Sequence, residues 1–154
     1  MSDQSKDAIS AKNAASELSG YSIEEIEPGM TAIYARTVTE ADIVAFAGVS
    51  GDDNPVHLNQ DYAATTMFKG RVAHGMLSVG YISAAIGTRL PGPGCVYLSQ
   101  SLRFKAPVCI GDTVTARVTV TEIDRARNRV KLSTVCTVGA KVVIDGEAEV
   151  MAPA

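Results

Sequence analysis

Residues 74–90 read HGMLSVGYISAAIGTRL, and this stretch decides the fold. Small and apolar residues cover nearly every side of the helix that it predicts, and no acidic or basic residue occurs before Arg89. A helix that is apolar all round has to be buried. At 1.5 Å per residue it would span about 25 Å, roughly the width of a small domain. The rest of the chain must therefore supply a sheet that wraps around it.

That sheet is predicted by segments rich in Val and Thr. Four of them follow the helix, and an earlier segment with alternating apolar and polar residues lies at 31–38. The four are residues 95–108, 112–124, 128–140 and 141–152. Turn residues at 110–112 and 125–128 predict hairpin connections, and Gly146 predicts a bulge in the last strand. The sequence thus predicts an α+β fold in which an antiparallel sheet of about five strands wraps around one long central helix.

Shorter elements precede the central helix. Thr39, with Asp42 three residues later, forms a capping-box pattern that predicts a helix ending near Gly48 or Gly51. Residues 50–60 are dense in turn formers and predict an ordered loop, and residues 61–68 predict a short helix. Residues 1–20 are interpreted as a flexible segment, with one possible short helix at 8–18, before a single domain at 21–154.

Composition excludes several classes of protein. The chain has 154 residues, of which 46% are hydrophobic and 20% charged, with a formal net charge of −3. These values fit one globular domain and give no basic face for nucleic acid. No apolar run approaches the roughly 20 residues of a membrane span, and the polar N-terminus is no signal peptide. Cys95, Cys109 and Cys136 are too few and too widely spaced for a disulfide framework or a zinc site, so we expect a reducing cytoplasm and no metal.

The sequence Asp52-Asp53-Asn54-Pro55-Val56-His57 carries the most chemical information. A carboxylate five residues before an imidazole, across a loop stiffened by proline, can converge with that imidazole on one small volume. Such a pair can bind a water and share proton transfers near neutral pH. The alternative interpretation is structural, with the aspartate capping a turn and the histidine bonded to the backbone.

Gly75 opens the apolar helix, at the positive end of its dipole. The first amides of a helix have no internal acceptor, and a glycine lets a carbonyl group approach them closely. Close packing of the helix is the alternative reason for a glycine here. An acid/base pair together with such a donor indicates proton chemistry on an activated carbonyl group.

The constellation of D-x-N-P-x-H, H-G-M at 74–76, F-K-x-P-V at 104–108 and G-D at 111–112 resembles the MaoC-like family of (R)-specific enoyl-CoA hydratases. The resemblance covers about half the chain. It implies a hot-dog fold, a homodimer, and reversible syn addition of water to a trans-2-enoyl-CoA, giving an (R)-3-hydroxyacyl-CoA without any cofactor. The coenzyme A is then part of the substrate.

The resemblance also assigns roles to individual residues. Asp52 and His57 would be the catalytic dyad, and the amide of Gly75 would bind the thioester oxygen. Ser83 would orient the catalytic aspartate, and Asn54 would shape the loop. The neighbouring Asp53 stays open as a contributor, and His74 is interpreted as structural.

Substrate-binding residues are predicted with less information, from charge and apolar character alone. Candidates for the coenzyme A phosphates are Arg71, Arg103 and Lys105. Candidates for the lining of the acyl pocket are Met67, Phe68, Met76, Leu77 and Tyr81.

Three other functions stay open on the sequence. The same fold serves acyl-CoA thioesterases, which need no D-x-N-P-x-H dyad in this place. A non-catalytic acyl-CoA-binding or interaction module would have no physical reason to keep an acid and a base together. A dehydratase of a specialised acyl-CoA, such as a mesaconyl-type thioester, would differ in the polarity of its pocket. The pathway that uses the product, polyhydroxyalkanoate supply or fatty acid metabolism, is also left open.

Overall fold

A computed structural model describes residues 17–154, so the predicted helix at 8–18 and most of the predicted flexible segment lie outside the described residues. The five strands are β1 (Thr31–Thr37), β2 (Val96–Phe104), β3 (Thr113–Asp124), β4 (Arg129–Val138) and β5 (Lys141–Met151). The four helices are α1 (Glu40–Ser50), α2 (Pro55–Leu58), α3 (Gln60–Thr65) and α4 (Gly75–Thr88).

The strands form one antiparallel sheet in the order β1-β3-β4-β5-β2. Strand β3 alternates buried and accessible side chains along its length, as does β4, which is the pattern of a sheet with one face against a core. The concave face packs on α4, whose neighbours are β1, β3 and β4. The predicted α+β hot-dog fold is therefore confirmed.

The core lies between α4 and this concave face. On the helix, Tyr81, Ile82, Ala85 and Ile86 are buried. They face the sheet interior, where the fully buried side chains include Val114, Val118, Leu132 and Ile144. Burial of each Val, Leu or Ile side chain of this set contributes about 1.5–3 kcal/mol, and together they hold the helix inside the sheet.

The capping box before α1 forms as predicted. The Thr39 hydroxyl accepts from the Asp42 amide at 3.2 Å, and the Asp42 carboxylate accepts from the Thr39 amide at 2.9 Å. The helix ends at Gly51, whose φ of 77° lies in the left-handed region. The predicted loop 50–60 contains the short helix α2, because Pro55 at its first position and the Asn54 side chain, which accepts from the Val56 amide, start a turn there.

Two local predictions are wrong. Residues 110–112 do not close a hairpin, since β2 pairs with β5 while β3 pairs with β1 and β4, so this segment crosses from one edge of the sheet to its other half. Gly146 is in regular register with Leu102 and Thr134 rather than in a bulge. A Cβ there would lie 1.8 Å from the carbonyl oxygen of Ser101, so the glycine is required by close approach of the neighbouring strand.

Two surfaces of the described chain expose apolar groups. The outer face of α4 presents Met76, Gly80, Ser83 and Gly87 at helical spacing. The edge strand β2, which has one side unpaired within the described chain, also exposes the side chains of Val96 and Leu98. Within residues 17–154, no helix has both the length and the apolar character needed to cross a bilayer.

Candidate active site

The loop between α1 and α2 positions Asp52. The Asp52 amide donates to the Ser50 hydroxyl at 3.1 Å, and the Asp52 carboxylate accepts from the Asn54 amide at 3.3 Å. Asn54 then caps α2, which carries His57 in its only turn. These local bonds turn the chain so that the aspartate and the histidine face each other.

The carboxylate and the imidazole lie close without touching. His57 Nε2 is 4.0 Å from Asp52 Oδ2, with the His57 side chain 12% exposed and that of Asp52 50% exposed. His57 Nδ1 is 2.7 Å from the carbonyl oxygen of Val72, and because a carbonyl only accepts, Nδ1 carries the proton. Nε2 faces Asp52, across a gap that suits a bridging water.

Asp53 lies outside this pair. It is exposed, and its side chain makes no hydrogen bond or ion pair with any residue of the described chain. Its amide donates to the carbonyl of Gly51 at 3.1 Å, which directs the turn. The geometry thus brings Asp52 rather than Asp53 to His57.

Gly75 lies beside the dyad as the first residue of α4. Its amide has no acceptor among residues 17–154, as expected for the first turn of a helix. A Cβ at this position would be 2.6 Å from Cε1 of Phe104, so the phenyl ring occupies the space that a side chain would need, while the glycine itself is exposed. Gly75, Phe104 and His57 line one common space.

That space is a cavity of about 400 Å³. Its polar contributions come from His57, Gly75, Ser78 and Lys105, and the rest of the lining is mostly apolar. The apolar walls include Val56, Val72, Ala73, Phe104, Val108 and Ile144. A pocket of this kind, apolar with a few convergent polar groups, is typical of a small-molecule site.

His74 completes the cluster. Its ring is 2% exposed, it stacks on the ring of His57, and together with Asp52 the ligand atoms of the three residues lie within 4.8 Å of one another. One nitrogen of each ring, Nδ1 of His57 and Nε2 of His74, faces a backbone carbonyl oxygen and is therefore a donor that cannot bind a cation.

Several predicted site residues lie elsewhere. Ser83 is on the exposed outer face of α4 and makes no hydrogen bond to Asp52. Met76, 52% exposed on the same face, does not line the cavity, and neither do Leu77 and Tyr81. Met76 and Ser83 lie on the outer face of α4, which does not meet the cavity, whereas Tyr81 is buried in the core between α4 and the sheet.

The three predicted phosphate-binding residues differ in their partners. Arg71 donates through Nε to the carbonyl of His57 at 2.6 Å and pairs with Glu40 at 2.9 Å, so it holds the site together and is not free. Lys105 lines the cavity and pairs with Asp145 at 2.6 Å. Arg103 is exposed and has no charged partner within the described chain.

Ser78 and Phe104 were missed as cavity residues. Ser78 is 1% exposed, and its hydroxyl has no hydrogen-bond partner within the described chain. The signal for it is present in the sequence, since Ser78 lies three residues after Gly75 and hence on the same side of a helix. Phe104 comes from a distant strand, so only the sheet topology brings it to Gly75.

An apolar cavity with an acid/base pair and an unpaired amide is the arrangement of an enzyme that moves protons on a carbonyl compound. Comparison with known proteins gives the family. The model of the MaoC-like domain family matches residues 23–142, and the chain belongs to this family.

Relatives and structures of this family are similar over most of the chain. An (R)-specific enoyl-CoA hydratase of Rhodospirillum rubrum is 58% identical over 92% of this chain and 98% of its own length. A 3-hydroxybutyryl-CoA dehydratase of Methylorubrum extorquens is 50% identical over 84% of this chain and 83% of its own. The solved structure of an (R)-hydratase from A. caviae involved in PHA biosynthesis is 41% identical, covers 84% of this chain and 99% of that chain, and has a TM-score of 0.81.

Proposed function

We propose that this chain is an (R)-specific enoyl-CoA hydratase, which adds water reversibly to a trans-2-enoyl-CoA and gives an (R)-3-hydroxyacyl-CoA. The observation that carries the proposal is the Asp52–His57 pair, 4.0 Å apart beside the unpaired amide of Gly75 at an apolar cavity. The names of the relatives support the same reaction in its two directions.

The Gly75 amide is the electrophilic element of this mechanism. Its N–H donates to the thioester oxygen, on which negative charge grows as water adds to the β-carbon. The positive end of the α4 dipole adds to the same field. Removal of one such donor costs about 3–4 kcal/mol in other enzymes, so this one bond supplies a large share of the rate enhancement.

His57 transfers the proton. Because Nδ1 is fixed by the Val72 carbonyl, only Nε2 exchanges a proton with the substrate. Nε2 takes a proton from the water as its oxygen bonds to the β-carbon, and then gives that proton to the α-carbon. One nitrogen serves both steps, so the hydroxyl and the hydrogen arrive on the same face of the double bond.

Asp52 orients the water and stabilises the transient imidazolium. Its carboxylate is half exposed and stands 4.0 Å from Nε2, within reach of a water bonded to both groups. The steps are the formation of one C–O bond and two proton transfers with no change of overall oxidation state, so we propose that no metal or redox cofactor takes part.

The cavity favours a hydrocarbon acyl group. Its walls are mostly apolar, and the one cation in its lining, Lys105, is already paired with Asp145 within the described chain. An acyl chain with a second carboxylate would need an unpaired cation. This argues for simple enoyl thioesters over mesaconyl-type substrates.

We propose that Arg103 binds the coenzyme A phosphates. It is exposed and has no charged partner within the described chain, whereas Lys105 is paired with Asp145. Charge-assisted bonds from such side chains are a common means of holding phosphate groups.

We propose a homodimer that covers the edge of β2 and the outer face of α4. An exposed edge strand with apolar residues is a surface that proteins normally cover. Ser83 lies on this face and would be buried there.

Analytical ultracentrifugation should give twice the chain mass of 16.1 kDa, and Val96→Lys should shift the mass toward one chain. A monomeric parent would overturn the proposed dimer.

The free thiols of Cys95, Cys109 and Cys136 are consistent with a proposed location in the cytoplasm. The (R) product is proposed to supply polyhydroxyalkanoate synthesis, which the A. caviae structure's description supports for that protein.

The test is hydration of crotonyl-CoA by the purified protein. We expect loss of the conjugated enoyl-thioester absorbance, with a product that is oxidised by an (R)-specific and not by an (S)-specific dehydrogenase. Release of free thiol without hydration would identify a thioesterase instead. No reaction with short or long enoyl chains would contradict the proposal.

A further inference from the structure

His74 occupies the N-cap position of α4 without capping the helix. Ser, Thr, Asp and Asn are preferred there because their side chains accept from the first amides. The His74 side chain makes no such bond. It turns instead into the protein, where the ring is 2% exposed. The residue is therefore used for contacts other than the helix end.

One of these contacts holds the Asp52 loop. His74 Nε2 is 2.8 Å from the carbonyl oxygen of Asp52, and because that oxygen only accepts, Nε2 carries the proton. This bond joins the start of α4 to the residue whose carboxylate faces His57. The Asp52 side chain is half exposed, but the backbone of the same residue is held by a hydrogen bond from a buried ring.

A second contact holds the ring of His57. The two imidazole rings are stacked with centroids 3.8 Å apart and an angle of 29° between their planes. Phe46 of α1 covers His74 with ring centroids 4.8 Å apart. Rotation of the His57 ring away from the Val72 carbonyl would have to displace this stack.

Packing alone does not explain an imidazole at this position. Nδ1 of His74 is buried without a partner within residues 17–154. An apolar ring would fill the same space and leave no unpaired nitrogen, but it could not donate to Asp52. A histidine leaves Nδ1 unpaired, but its Nε2 donates to the Asp52 carbonyl, which an apolar ring cannot do.

We propose that His74 is a positioning residue, which fixes the Asp52 backbone and the His57 ring relative to each other and to the adjacent Gly75 amide. His74 does not line the cavity and therefore acts through the dyad. The inference rests on the proposed hydratase function, because the geometry that it maintains is that of the dyad. It also changes the interpretation of His74 as a merely structural residue.

The kinetic test uses a matched pair of variants. The amide of a glutamine can replace Nε2 as the donor to the Asp52 carbonyl, whereas the amide of an asparagine is too short to reach it. With crotonyl-CoA, we expect His74→Asn to lower kcat about tenfold to a hundredfold, as small misplacements of catalytic groups do, with a smaller change in KM. His74→Gln should recover part of the lost kcat.

The spectroscopic test needs no substrate. His57 and His74 are the only two histidines of the sequence, so protein without a tag and labelled with ¹⁵N-histidine shows two imidazoles, and the His74 variants show His57 alone. In the parent, His57 should be the tautomer with the proton on Nδ1. In His74→Asn it should become a mixture of tautomers, whereas His74→Phe, which keeps the stacked ring, should preserve the parental signal.

Val130→Ala is the control for general destabilisation, since Val130 is fully buried in β4 and is no part of the site. It should lower the unfolding temperature with kcat unchanged. If His74→Asn does not fold, Phe46→Leu, which loosens the same stack, should lower kcat and broaden the His57 signals.

Equal kcat for the Gln and Asn variants would overturn the proposal, as would an unchanged His57 tautomer in His74→Asn or an unaffected Phe46→Leu protein. Failure of the parent to hydrate crotonyl-CoA would overturn the hydratase function instead, while the tautomer measurement would still decide the role of His74.

Discussion

The phenyl ring of Phe104 lies against Gly75, so that a Cβ at residue 75 would be 2.6 Å from Cε1 and 2.7 Å from Cδ1 of that ring. The two residues come from the end of β2 and the start of α4. Their contact forms one wall of the cavity and leaves the Gly75 amide as the polar group of that wall.

Gly75→Ala therefore tests the close approach without removing the amide. We expect kcat/KM for crotonyl-CoA to fall about tenfold or more, because the ring has to move and the donor shifts with it. Phe104→Leu in the same chain should restore part of the activity. Gly48→Ala is the control, since a Cβ there meets nothing within 4 Å. Equal activity of Gly75→Ala and the parent would contradict the role of the contact.

Asp52→Asn and His57→Ala test the dyad. Each should lower kcat by about a hundredfold to ten-thousandfold, the range for loss of a positioned acid or base, with the fold intact by circular dichroism. Asp53→Asn is the matched control, because the adjacent carboxylate is exposed and unpaired within the described chain. Activity lost in Asp53→Asn and kept in Asp52→Asn would reverse the assignment.

Substitutions at Ser78 test whether the acyl chain of the substrate reaches this part of the cavity. Its side chain is 1% exposed and lines the cavity from the buried face of α4. Ser78→Leu should fill this part of the cavity and lower kcat/KM for hexenoyl-CoA more than for crotonyl-CoA. Ser78→Ala, which adds no volume, should leave the ratio of the two substrates near that of the parent. An unchanged ratio in Ser78→Leu would place the acyl chain elsewhere.

Asp42 in the capping box gives a pH-dependent contribution to stability. Burial alone would raise the pKa of its carboxyl, but bonds from Thr39 and from the Arg36 guanidinium together lower it below the ordinary value of 3.8. A depressed pKa in the folded state means that the stabilisation is present above the unfolded pKa and is lost as the pH falls through the folded one.

Asp42→Asn should accordingly lower the free energy of unfolding by about 1–2 kcal/mol at pH 7, the scale of a lost cap and a charged hydrogen bond. Urea unfolding at pH 7 and at pH 3 measures the difference, which should shrink at the lower pH. A difference that grows on acidification would show that the carboxylate is not stabilised in the folded protein.

The cysteines should differ in reactivity. Burial raises the pKa of the Cys136 thiol to about 12 and that of Cys95 above its ordinary value, whereas Cys109 is exposed. Since the thiolate is the reactive form, a disulfide reagent at pH 8 should modify one thiol quickly in the native protein and three after unfolding. Cys109→Ser should abolish the fast phase, and its persistence would identify a different accessible thiol.

Much of the fold is readable from local patterns. The run at 74–90, which has no charged residue before Arg89, specifies a buried helix. Thr39 and Asp42 specify the start of α1, and the Val- and Thr-rich segments specify the strands. The order of the strands is not local, because each turn is compatible with a hairpin or a crossover. For this reason the turn residues at 110–112 predict a hairpin, whereas the structure has a crossover there.

The candidate site also contains some residues that local sequence predicts and others that it does not. Asp52, Asn54 and His57 are close in sequence and are held by bonds within one loop, so their spacing alone brings them together. Apolar character predicts Met76 at the site and the family resemblance predicts Ser83, but both lie on the outer face of α4 in the described chain. A helix that is apolar on all sides does not reveal which face meets a cavity. The sequence also predicts Arg71 as a phosphate-binding cation. Its two partners are not visible in local patterns, because Glu40 is far away in the sequence and the other acceptor is the backbone carbonyl of His57.

The most direct test of the central claim is hydration of crotonyl-CoA in D₂O, with the configuration at both new centres read by NMR. If His57 Nε2 serves both proton transfers, the deuterium at the α-carbon and the hydroxyl at the β-carbon will be on the same face, and the β-carbon will be (R). Anti addition, an (S) product, or no incorporation of deuterium with loss of the double bond would contradict the account.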